Sequence, residues 1–276
     1  MISPILVIEI TLDPNIVRIG AVLITWHGFF TAVGIFVGLN VVLRITRIMG
    51  LDEDDIYNLA LVAIPAGILG ARSLYVVEHW SYFSQVPSEI IRVNEGGISI
   101  WGALLAGVIA TLCFARWRQY PVRNLLDIAG LGMILGLAIG RLGDLINGEH
   151  LAKATELPWG VVYTDPDSPA FSHSLAFGAH HPATTYEMLV LLVAFFVCVP
   201  LFLQFLKQWP GVTFSIVAMI YALTRYFLTD IRLDSPEVIS SFLAPQIIAV
   251  VIILICFPVM IFWIRGTNKL RISKKD

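Results

Sequence analysis

Residues 184–206 read TTYEMLVLLVAFFVCVPLFLQFL, and Glu187 is the one charged residue in this stretch. A helix rises about 1.5 Å per residue, so roughly 20 apolar residues cross a hydrocarbon core about 30 Å thick. Strands that cross a membrane would instead show alternating segments of about ten residues. The stretch therefore predicts a transmembrane helix.

Similar apolar runs, separated by short polar segments, recur along the chain. Hydrophobic residues make up 57% of the sequence and charged residues 14%, with a mean hydropathy of +0.81, and this is more apolar surface than a soluble domain buries. We predict an all-α membrane protein, a polytopic bundle of about seven transmembrane helices. These helices should cover residues 20–43, 56–76, 98–115, 125–146, 184–206, 212–231 and 239–264.

Basic residues in the loops predict the orientation of the bundle, because cytoplasmic loops are enriched in lysine and arginine. One set of loops carries Arg44, Arg47, Arg116, Arg118, Arg123, Lys207, Arg265, Lys269, Arg271, Lys274 and Lys275, and the opposite set carries Arg18, Arg92, Lys153 and Arg232. The first set should be cytoplasmic, which places the N-terminus outside and the C-terminus in the cytoplasm. Residues 78–97 and 148–183 are then outer segments, and we expect 148–183 to form a small extracytoplasmic head on a single integral membrane domain, residues 1–276.

The charge balance and the cysteines argue against several other classes of protein. The net charge is -2 and no basic block is interleaved with aromatic residues, so nucleic acid is not expected as a partner. Cys113, Cys198 and Cys256 lie inside apolar runs, where a thiol is usually a packing group. His150, His173, His180 and His181 lack the helical spacing of paired zinc ligands. We expect no metal and no cofactor.

Ionisable residues inside the predicted helices mark one end of the bundle. Each costs about 2.5 to 3.5 kcal/mol on insertion scales, so such residues usually face a cavity or a partner. The predicted topology places seven of them toward the outer leaflet: His27, Arg72, Arg141, Asp144, Glu187, Arg225 and Asp230. A path across the membrane would distribute charges over several depths. An outward-opening pocket at the lipid boundary fits this pattern better.

Residues 140–149, GRLGDLINGE, carry the strongest local pattern. Arg141, Asp144 and Asn147 recur every three residues and share roughly one helical face. On the sixth predicted helix, Arg225 and Arg232 also share a face. Two arginines can grip a phosphate bidentately, so we expect an anionic phospholipid headgroup as ligand. An alternative is purely structural: Arg141 with Asp144, and Arg225 with Asp230 or Glu187, would be neutralising pairs that hold helices together.

Motifs along most of the chain resemble those of the prolipoprotein diacylglyceryl transferase family, and the stretch Arg141-Leu142-Gly143-Asp144-Leu145-Ile146-Asn147-Gly148-Glu149 is the most specific of them. The others are Ile24-Thr25-Trp26-His27-Gly28, Gly70-Ala71-Arg72, residues 95–102 (EGGISIWG), Leu157-Pro158-Trp159-Gly160, His181-Pro182 with Tyr186-Glu187, and residues 221–232. The resemblance implies a seven-helix bundle with a periplasmic head in the bacterial cytoplasmic (inner) membrane.

The same resemblance implies an activity: transfer of the diacylglyceryl group from phosphatidylglycerol to the lipobox cysteine of a prolipoprotein, with release of glycerol phosphate. Phosphatidylglycerol, lipobox signal peptides and membrane lipids are the implied partners. Arg141 and Arg225 match the family's essential arginines and would hold the phosphate. The substrate-binding residues that we expect are Arg141, Asp144, Asn147, Glu149, Arg225, Arg232, Trp101, Arg72 and Glu187.

Four positions depart from the family pattern, namely His27, Trp101, Asp144 and Thr229. The family has a tyrosine, a histidine or tyrosine, an asparagine and a glutamate at these positions. Trp101 cannot act as a base, because an indole does not accept a proton. Our hypothesis is that His27 is the base and that Asp144 orients a neighbouring arginine or balances its charge. In the alternative, His27 only forms an interfacial hydrogen bond and Trp101 is an interfacial anchor.

The four departures leave two other functions open. One is a non-catalytic protein that binds or transports anionic phospholipids on the same bundle. The other is an enzyme of the same kind that uses a different donor lipid or acceptor thiol. Incubation with labelled phosphatidylglycerol and a lipobox peptide separates the three readings.

Overall fold

The structure, a computed structural model, describes residues 7–20, 22–91, 99–234, 237–239 and 242–272. Its helices are α1 (Trp26–Ile48), α2 (Glu53–Glu78), α3 (Trp80–Phe83), α4 (Ile100–Trp117), α5 (Val122–Asn147), α6 (Phe171–Phe177), α7 (Ala183–Gln204), α8 (Val212–Thr229) and α9 (Ala244–Ile272). Its short strands are β1 (Ile8–Ile10), β2 (Asn15–Ile19), β3 (Val22–Thr25), β4 (Val161–Tyr163), β5 (Glu237–Ile239) and β6 (Phe242–Leu243).

Each of the seven predicted helices corresponds to a long helix, namely α1, α2, α4, α5, α7, α8 and α9. Among the described residues, six of these are long and apolar enough to cross a membrane, and α4 is a further apolar helix of 18 residues. The prediction of a polytopic all-α membrane protein is confirmed.

Two predicted helices begin too early. Residues 20–25 were assigned to the first helix, but β2 and β3 form an antiparallel hairpin there. Gly20 has a positive φ of 60°, which favours the hairpin turn. The last helix was predicted from residue 239, whereas β5 pairs with β6 and α9 begins at Ala244. In both places β-branched and aromatic residues extend an apolar run, and apolarity alone does not separate a short strand from a helix.

The chain forms two compact units, one of Met1–Val42 with Leu126–Asp276 and the other of Leu43–Leu125. In the second unit α2 packs against α4 at a glycine pair, where a Cβ on Gly70 would lie 2.4 Å from the carbonyl oxygen of Gly102. Small residues allow such close backbone approach in membrane helices. The second unit therefore has its own helix–helix contact.

In the first unit, α1 and α5 cross through two further glycine pairs. A Cβ on Gly34 would lie 2.4 Å from the carbonyl oxygen of Gly136, and one on Gly38 would lie 2.7 Å from that of Gly132. Both helices thus present glycines four residues apart, a spacing that brings backbones into contact in lipid. No larger side chain fits between them without a shift of the helices.

Replacement of Gly34 by alanine is expected to destabilise the first unit, because the added methyl group would overlap a backbone atom that cannot rotate away. The expected loss is about 1 to 3 kcal/mol, as for other overpacked interiors. Gly140→Ala is the matched control, since a Cβ there meets nothing within 4 Å and alanine favours the helix by about 1 kcal/mol. Thermal unfolding in detergent compares the two variants, and equal stability would contradict the close contact.

The start of α8 is capped by a buried carboxylate from α5. Asp127 is 1% exposed and accepts hydrogen bonds from the backbone N–H groups of Gly211 and Phe214, each at 2.7 Å. These are among the donors that the first turn of a helix leaves without an intrahelical partner. The cap fixes α8 against α5 at the end of the bundle opposite to Arg141 and Arg225.

Residues 148–182, which we call the head segment, connect α5 to α7. Strand β4 pairs in parallel with β1 over Ile8–Ile10, and Val161 and Ala154 form bridges to His180. Val161, Tyr163 and Ala170 form a small buried core, and the Tyr163 hydroxyl donates to the carbonyl oxygen of Leu145 at 2.5 Å. The head segment is thus folded and attached to the end of α5.

His180 is a buried titratable group of the head segment. Its side chain is buried, lies stacked on Tyr163 with ring centroids 5.6 Å apart, and leaves Nδ1 without a hydrogen bond. Burial lowers the pKa of His180, and the neighbouring His173 and His181 lower it further. Because the folded state favours the neutral ring, its contribution to stability is complete above the unfolded pKa of about 6.5 and is lost as the pH falls below that value.

We therefore expect amide hydrogen exchange in the head segment to accelerate as the pH falls from 7.5 to 5.5, after correction for the intrinsic rate. The limiting slope is about 1.4 kcal/mol per pH unit for one histidine. His180→Phe keeps a ring on Tyr163 and should flatten this dependence. An unchanged slope in that variant would show that another group is responsible.

Candidate functional site

Arg141 lies at the centre of an ionic cluster within the first unit. Its Nη1 donates to Oδ2 of Asp144 at 2.5 Å, and its Nη2 donates to Oε1 of Glu187 at 2.7 Å. The first contact lies along one face of α5, whereas the second joins α5 to α7. The side chains of Asp144 and Glu187 are 3% and 1% exposed. Carboxylates buried this deeply are tolerated because they are paired with the guanidinium.

His27 joins the cluster from the first turn of α1. Its Nδ1 lies 2.6 Å from Oδ1 of Asp144, and a carboxylate can only accept, so Nδ1 donates, and Nε2 of the neutral imidazole keeps its lone pair. Gly143 permits this approach, because a Cβ at that position would lie 2.7 Å from the Cα of His27. The His27 side chain is 49% exposed. Its Nε2 is therefore an oriented basic atom within reach of a ligand.

Glu187 is the shared anion of three arginines. Besides Arg141, it faces Nη1 of Arg225 at 3.8 Å and Nη1 of Arg232 at 4.0 Å, both measured from Oε2. These two distances exceed hydrogen-bond length. Arg225 and Arg141 thus converge on one carboxylate from α8 and α5, and Arg225 is held only loosely by it.

Arg232 and His150 close the cluster into a ring. Arg232 donates to Asp234 from Nε at 2.9 Å and from Nη2 at 2.5 Å. Asp234 also faces Nδ1 of His150 at 2.8 Å, and Nε2 of His150 lies 3.8 Å from Oδ2 of Asp144. Burial alone would raise the pKa of Asp234, but the hydrogen bonds of His150 and Arg232 outweigh it and hold this pKa well below its usual range.

Several buried atoms of this ring and of the neighbouring Asn147 have no hydrogen-bond partner. Among the described residues they include Nε of Arg141, Nη1 of Arg232, Oε2 of Glu187 and Oδ1 of Asn147. Buried polar atoms in proteins are nearly always satisfied, so a group of orphaned atoms points to a missing ligand or water. Two of the four belong to guanidinium groups, which bind anionic oxygens in forked geometry. The ring can therefore accept an anion.

Other expected site residues of the first unit lie at the rim of the ring. Asn147 is buried, and its amide lies 3.5 Å from a carboxylate oxygen of Glu149. The expectation that Arg232 lies on the sixth helix is wrong, because α8 ends at Thr229 and Arg232 pairs in extended form with Ala152 of the head segment.

Two polar groups at the end of α8, those of Thr229 and Asp230, have other partners. The Thr229 hydroxyl donates to the carbonyl oxygen of Arg225 at 2.5 Å, so it does not replace a carboxylate in the ring. Asp230 accepts a hydrogen bond from Gln246 at 2.7 Å. Of the proposed neutralising pairs, the contact of Arg141 with Asp144 is present, and Arg225 faces Glu187. Asp230, the other acid proposed for Arg225, is hydrogen-bonded to Gln246 of α9.

Arg72 and Trp101 belong to the second unit. Arg72 donates from Nε to the carbonyl oxygen of Ile90 at 2.7 Å and from Nη2 to that of Glu89 at 2.5 Å. Its guanidinium also lies 5.1 Å from the ring centroid of Phe83, so it fastens the segment after α3 to α2. The side chain of Trp101 and residues 95–98 of the same motif lie outside the described residues, and the substrate contacts expected of Arg72 and Trp101 stay predictions.

Two further histidines of the head segment, His173 and His181, have protein partners. His173 Nε2 lies 3.0 Å from the carbonyl oxygen of Ala152, and His181 Nδ1 lies 3.2 Å from the Tyr186 hydroxyl. Among the described residues, Asp13, Asp165 and Asp167 bring three carboxylate oxygens within 4.8 Å of one another, and two of these residues are exposed. Exposed acidic groups are common without an ion, and we assign no metal here.

The sequence reasoning missed His150 and Asp234 as members of the ring. They are 84 residues apart in the chain, so no helical spacing joins them. His150 has a positive φ of 65°, an uncommon conformation for a residue other than glycine. The available signal was weak: His150 directly follows the 140–149 pattern, and Asp234 follows Arg232 by two positions.

The fold and the ring define a polytopic helical membrane protein with an anion-accepting cluster where α5, α7 and α8 meet the head segment. The sequence description of the prolipoprotein diacylglyceryl transferase family matches residues 14–263. The chain belongs to this family and is an enzyme of the transferase class.

Relatives named phosphatidylglycerol--prolipoprotein diacylglyceryl transferase are similar to the chain over most of its length. The protein of Acaryochloris marina is 34% identical over 223 residues, which is 80% of each chain. That of Synechococcus elongatus is 33% identical over 262 residues, covering 93% of this chain and 89% of the relative. That of Bacillus velezensis is 32% identical over 251 residues, covering 91% and 92%.

Proposed function

We propose that the chain transfers the diacylglyceryl group of phosphatidylglycerol to the lipobox cysteine of a prolipoprotein. Family membership and the names of the relatives support this activity. The observation that carries the assignment of the site is the set of orphaned guanidinium atoms in the ring around Glu187. An anionic headgroup would satisfy them.

In this proposal Arg225 and Arg141 hold the phosphate. Arg225 makes no contact with Glu187 shorter than 3.8 Å, so its guanidinium has donors for a ligand, and Nε of Arg141 is an orphaned donor beside it. Arg232 adds a third positive charge. Fixed donors aimed at a group that gains charge during the reaction lower the barrier, because they need no reorganisation.

His27 is the proposed base for the acceptor thiol. A free thiol has a pKa of about 8.5 and is mostly protonated near neutrality, so a neighbouring base raises its nucleophilicity. Asp144 holds Nδ1 of His27 and leaves Nε2 to accept the proton. This is the carboxylate–imidazole arrangement that orients a base in nucleophilic catalysis.

The proposed step balances in atoms and charge. The cysteine sulfur forms a bond to the terminal glyceryl carbon, the bond between that carbon and the phosphate oxygen breaks, and its electron pair stays on the oxygen. The thiol proton passes to Nε2 of His27 and then to the departing glycerol phosphate or to water. The phosphate gains one negative charge as it leaves, and the imidazolium that forms beside Asp144 supplies one positive charge.

The proposed location is the bacterial cytoplasmic (inner) membrane, with several spans. The N-terminus would lie outside, the C-terminus in the cytoplasm, and the head segment on the outer face. The distribution of lysine and arginine supports this orientation.

A test of the activity is to incubate the purified protein with phosphatidylglycerol labelled in the glyceryl group and a lipobox peptide. Thioether product supports the transferase. Binding of labelled lipid without product would favour the non-catalytic lipid-binding protein. The absence of both product and binding would indicate that the enzyme uses other substrates.

His27→Phe tests the proposed base in the same assay and by complementation of a strain depleted of its own transferase. The variant removes the proton acceptor but keeps a ring at the start of α1, and we expect a loss of about 10²- to 10⁴-fold, the usual range for a general base. Near-normal transfer by His27→Phe, together with loss of transfer by Arg141→Ala, would discard the base role and retain the phosphate site.

A further inference from the structure

His150 lies between two carboxylates of the ring and faces each of them with a different nitrogen. Its Nδ1 lies 2.8 Å from Oδ2 of Asp234, and its Nε2 lies 3.8 Å from Oδ2 of Asp144. A neutral imidazole has one N–H and one lone pair, so one of the two carboxylates would face the lone pair, whereas an imidazolium donates from both nitrogens. His150 can therefore carry a second proton without losing either contact.

The two carboxylate oxygens that face His150 are shared with arginines. Oδ2 of Asp144 accepts a hydrogen bond from Nη1 of Arg141, and Oδ2 of Asp234 accepts one from Nη2 of Arg232, both at 2.5 Å. The same two arginines carry orphaned donors, at Nε of Arg141 and Nη1 of Arg232. A proton on His150 would compensate part of the charge of both carboxylates, which leaves more of the positive potential of the arginines for a ligand.

Among the described residues, the ring carries no surplus positive charge while its histidines are neutral. It brings together three guanidinium groups and three carboxylates, those of Arg141, Arg225, Arg232, Asp144, Glu187 and Asp234. Glu149, the residue before His150, adds a negative charge at the rim, 3.5 Å from the amide of Asn147. A bound phosphate would therefore leave the site with a net negative charge, and uncompensated charge is costly to bury.

His27 and His150 are the described members of the ring that can supply the missing positive charge. The proposed reaction needs a neutral His27, because Nε2 of this residue accepts the thiol proton. His150 has no such role, and its side chain is 32% exposed, so a proton from water can reach it. Its positive φ of 65° is a conformation that a residue other than glycine keeps only where its surroundings fix it. The fold thus specifies the position of His150.

We propose that His150 takes up a proton when the ring binds an anionic phospholipid headgroup, and that this proton balances the charge of the phosphate. The inference rests on the proposed function and deepens it, because it adds a residue that supports headgroup binding through Asp144 and Asp234. The proton comes from water, and no covalent bond between heavy atoms changes. Lipid and proton then strengthen each other's binding by the same factor. The affinity for phosphatidylglycerol should fall about tenfold as the pH rises from 6 to 8.5.

Asp234 and the arginines keep their charges over this pH range. Burial would raise the pKa of Asp234, but the hydrogen bonds of His150 and Arg232 hold this pKa well below its usual range, and guanidinium groups stay protonated. His27 faces the other oxygen of Asp144 from α1 and can also titrate. A test therefore needs a variant of each histidine.

Isothermal titration measures the proton uptake directly. Short-chain phosphatidylglycerol is titrated into the purified protein in detergent, in two buffers that differ in their heat of ionisation, and no acceptor peptide is needed. The lipid is a phosphodiester and keeps one charge, whereas a phosphate monoester loses its second proton at a pH of about 6. We expect wild type to take up a proton near pH 7 and His150→Asn to take up none. Asparagine tolerates a positive φ better than most residues.

His27→Phe and His79→Asn are the control variants. The first removes the other histidine of the ring, the second removes an exposed histidine of the second unit, and proton uptake should persist in both. His150→Lys carries a fixed charge and should bind the lipid at pH 8.5 as tightly as wild type does at pH 6. This variant keeps the proposal falsifiable if His150→Asn unfolds.

Several results would overturn the proposal. Proton uptake in His150→Asn equal to that of wild type would do so, as would uptake that is lost in His27→Phe but kept in His150→Asn. A fall in the affinity of His150→Lys with pH as steep as that of wild type would also contradict it. Lipid binding by wild type without proton uptake would exclude the role of His150 and leave the transferase proposal intact, whereas no lipid binding at any pH would exclude both.

Discussion

Arg225→Gln is expected to lower the rate of diacylglyceryl transfer about 100- to 1000-fold while leaving the protein folded. Loss of one donor to a group that develops charge has this scale. The fold should tolerate the change, because Arg225 faces Glu187 only at 3.8 Å and Glu187 keeps its hydrogen bond from Arg141 at 2.7 Å. Initial rates with labelled phosphatidylglycerol and thermal unfolding in detergent measure the two quantities separately.

Arg225→Lys and Arg116→Gln complete this experiment. Lysine restores the charge but not the forked geometry, so its activity should fall between those of wild type and Arg225→Gln. Arg116 is exposed at the end of α4, and its replacement should change neither rate nor stability. Retention of more than about a third of the activity in Arg225→Gln would contradict a phosphate contact, since the expected effect is at least 100-fold.

Glu187→Gln is expected to cause the largest loss of stability of any conservative change in the ring. The side chain is 1% exposed and faces three guanidinium groups. Removing one partner of a buried ionic group costs about 3 to 5 kcal/mol, because the charges left behind are neither hydrated nor compensated. Glutamine keeps the size of the side chain, so the change isolates the charge.

The measurement is denaturant or thermal unfolding of the purified protein in detergent, with Glu156→Gln as the control. Glu156 is exposed in the head segment, where loss of a charge should shift stability by less than about 0.5 kcal/mol. Equal stability of Glu187→Gln and wild type would show that the three arginines are balanced by other groups.

The sequence predicted the long helices well where apolar runs are bounded by clear polar residues. The observed α5, α7 and α8 begin and end within three residues of the predicted bounds. The prediction was wrong at residues 20–25, because a run of Val22, Leu23 and Ile24 is equally compatible with a strand. The left-handed turn at Gly20 that makes the hairpin depends on backbone angles, which an apolar pattern does not record.

The site was predictable only in part, because the sequence gives the spacing of residues within one helix but not the contacts between helices. Helical spacing places Arg141, Asp144 and Asn147 together within α5, and the structure agrees that Arg141 contacts Asp144. Spacing within a helix does not give the contacts between helices, so the meeting of Arg141 with Glu187 across 46 residues required the fold. The contact of His150 with Asp234 further depends on the positive φ of His150.

The glycine contacts between α1 and α5 also constrain how the enzyme responds to its membrane. Gly34 and Gly38 lock α1 onto Gly136 and Gly132, and the same two helices carry His27 and Asp144 at their ends. A slip of one turn would separate that pair by about 5.4 Å. When bilayer thickness changes, helices adapt by tilting, and here α1 and α5 must tilt as one body. The distance from His27 to Asp144 should then be independent of lipid chain length.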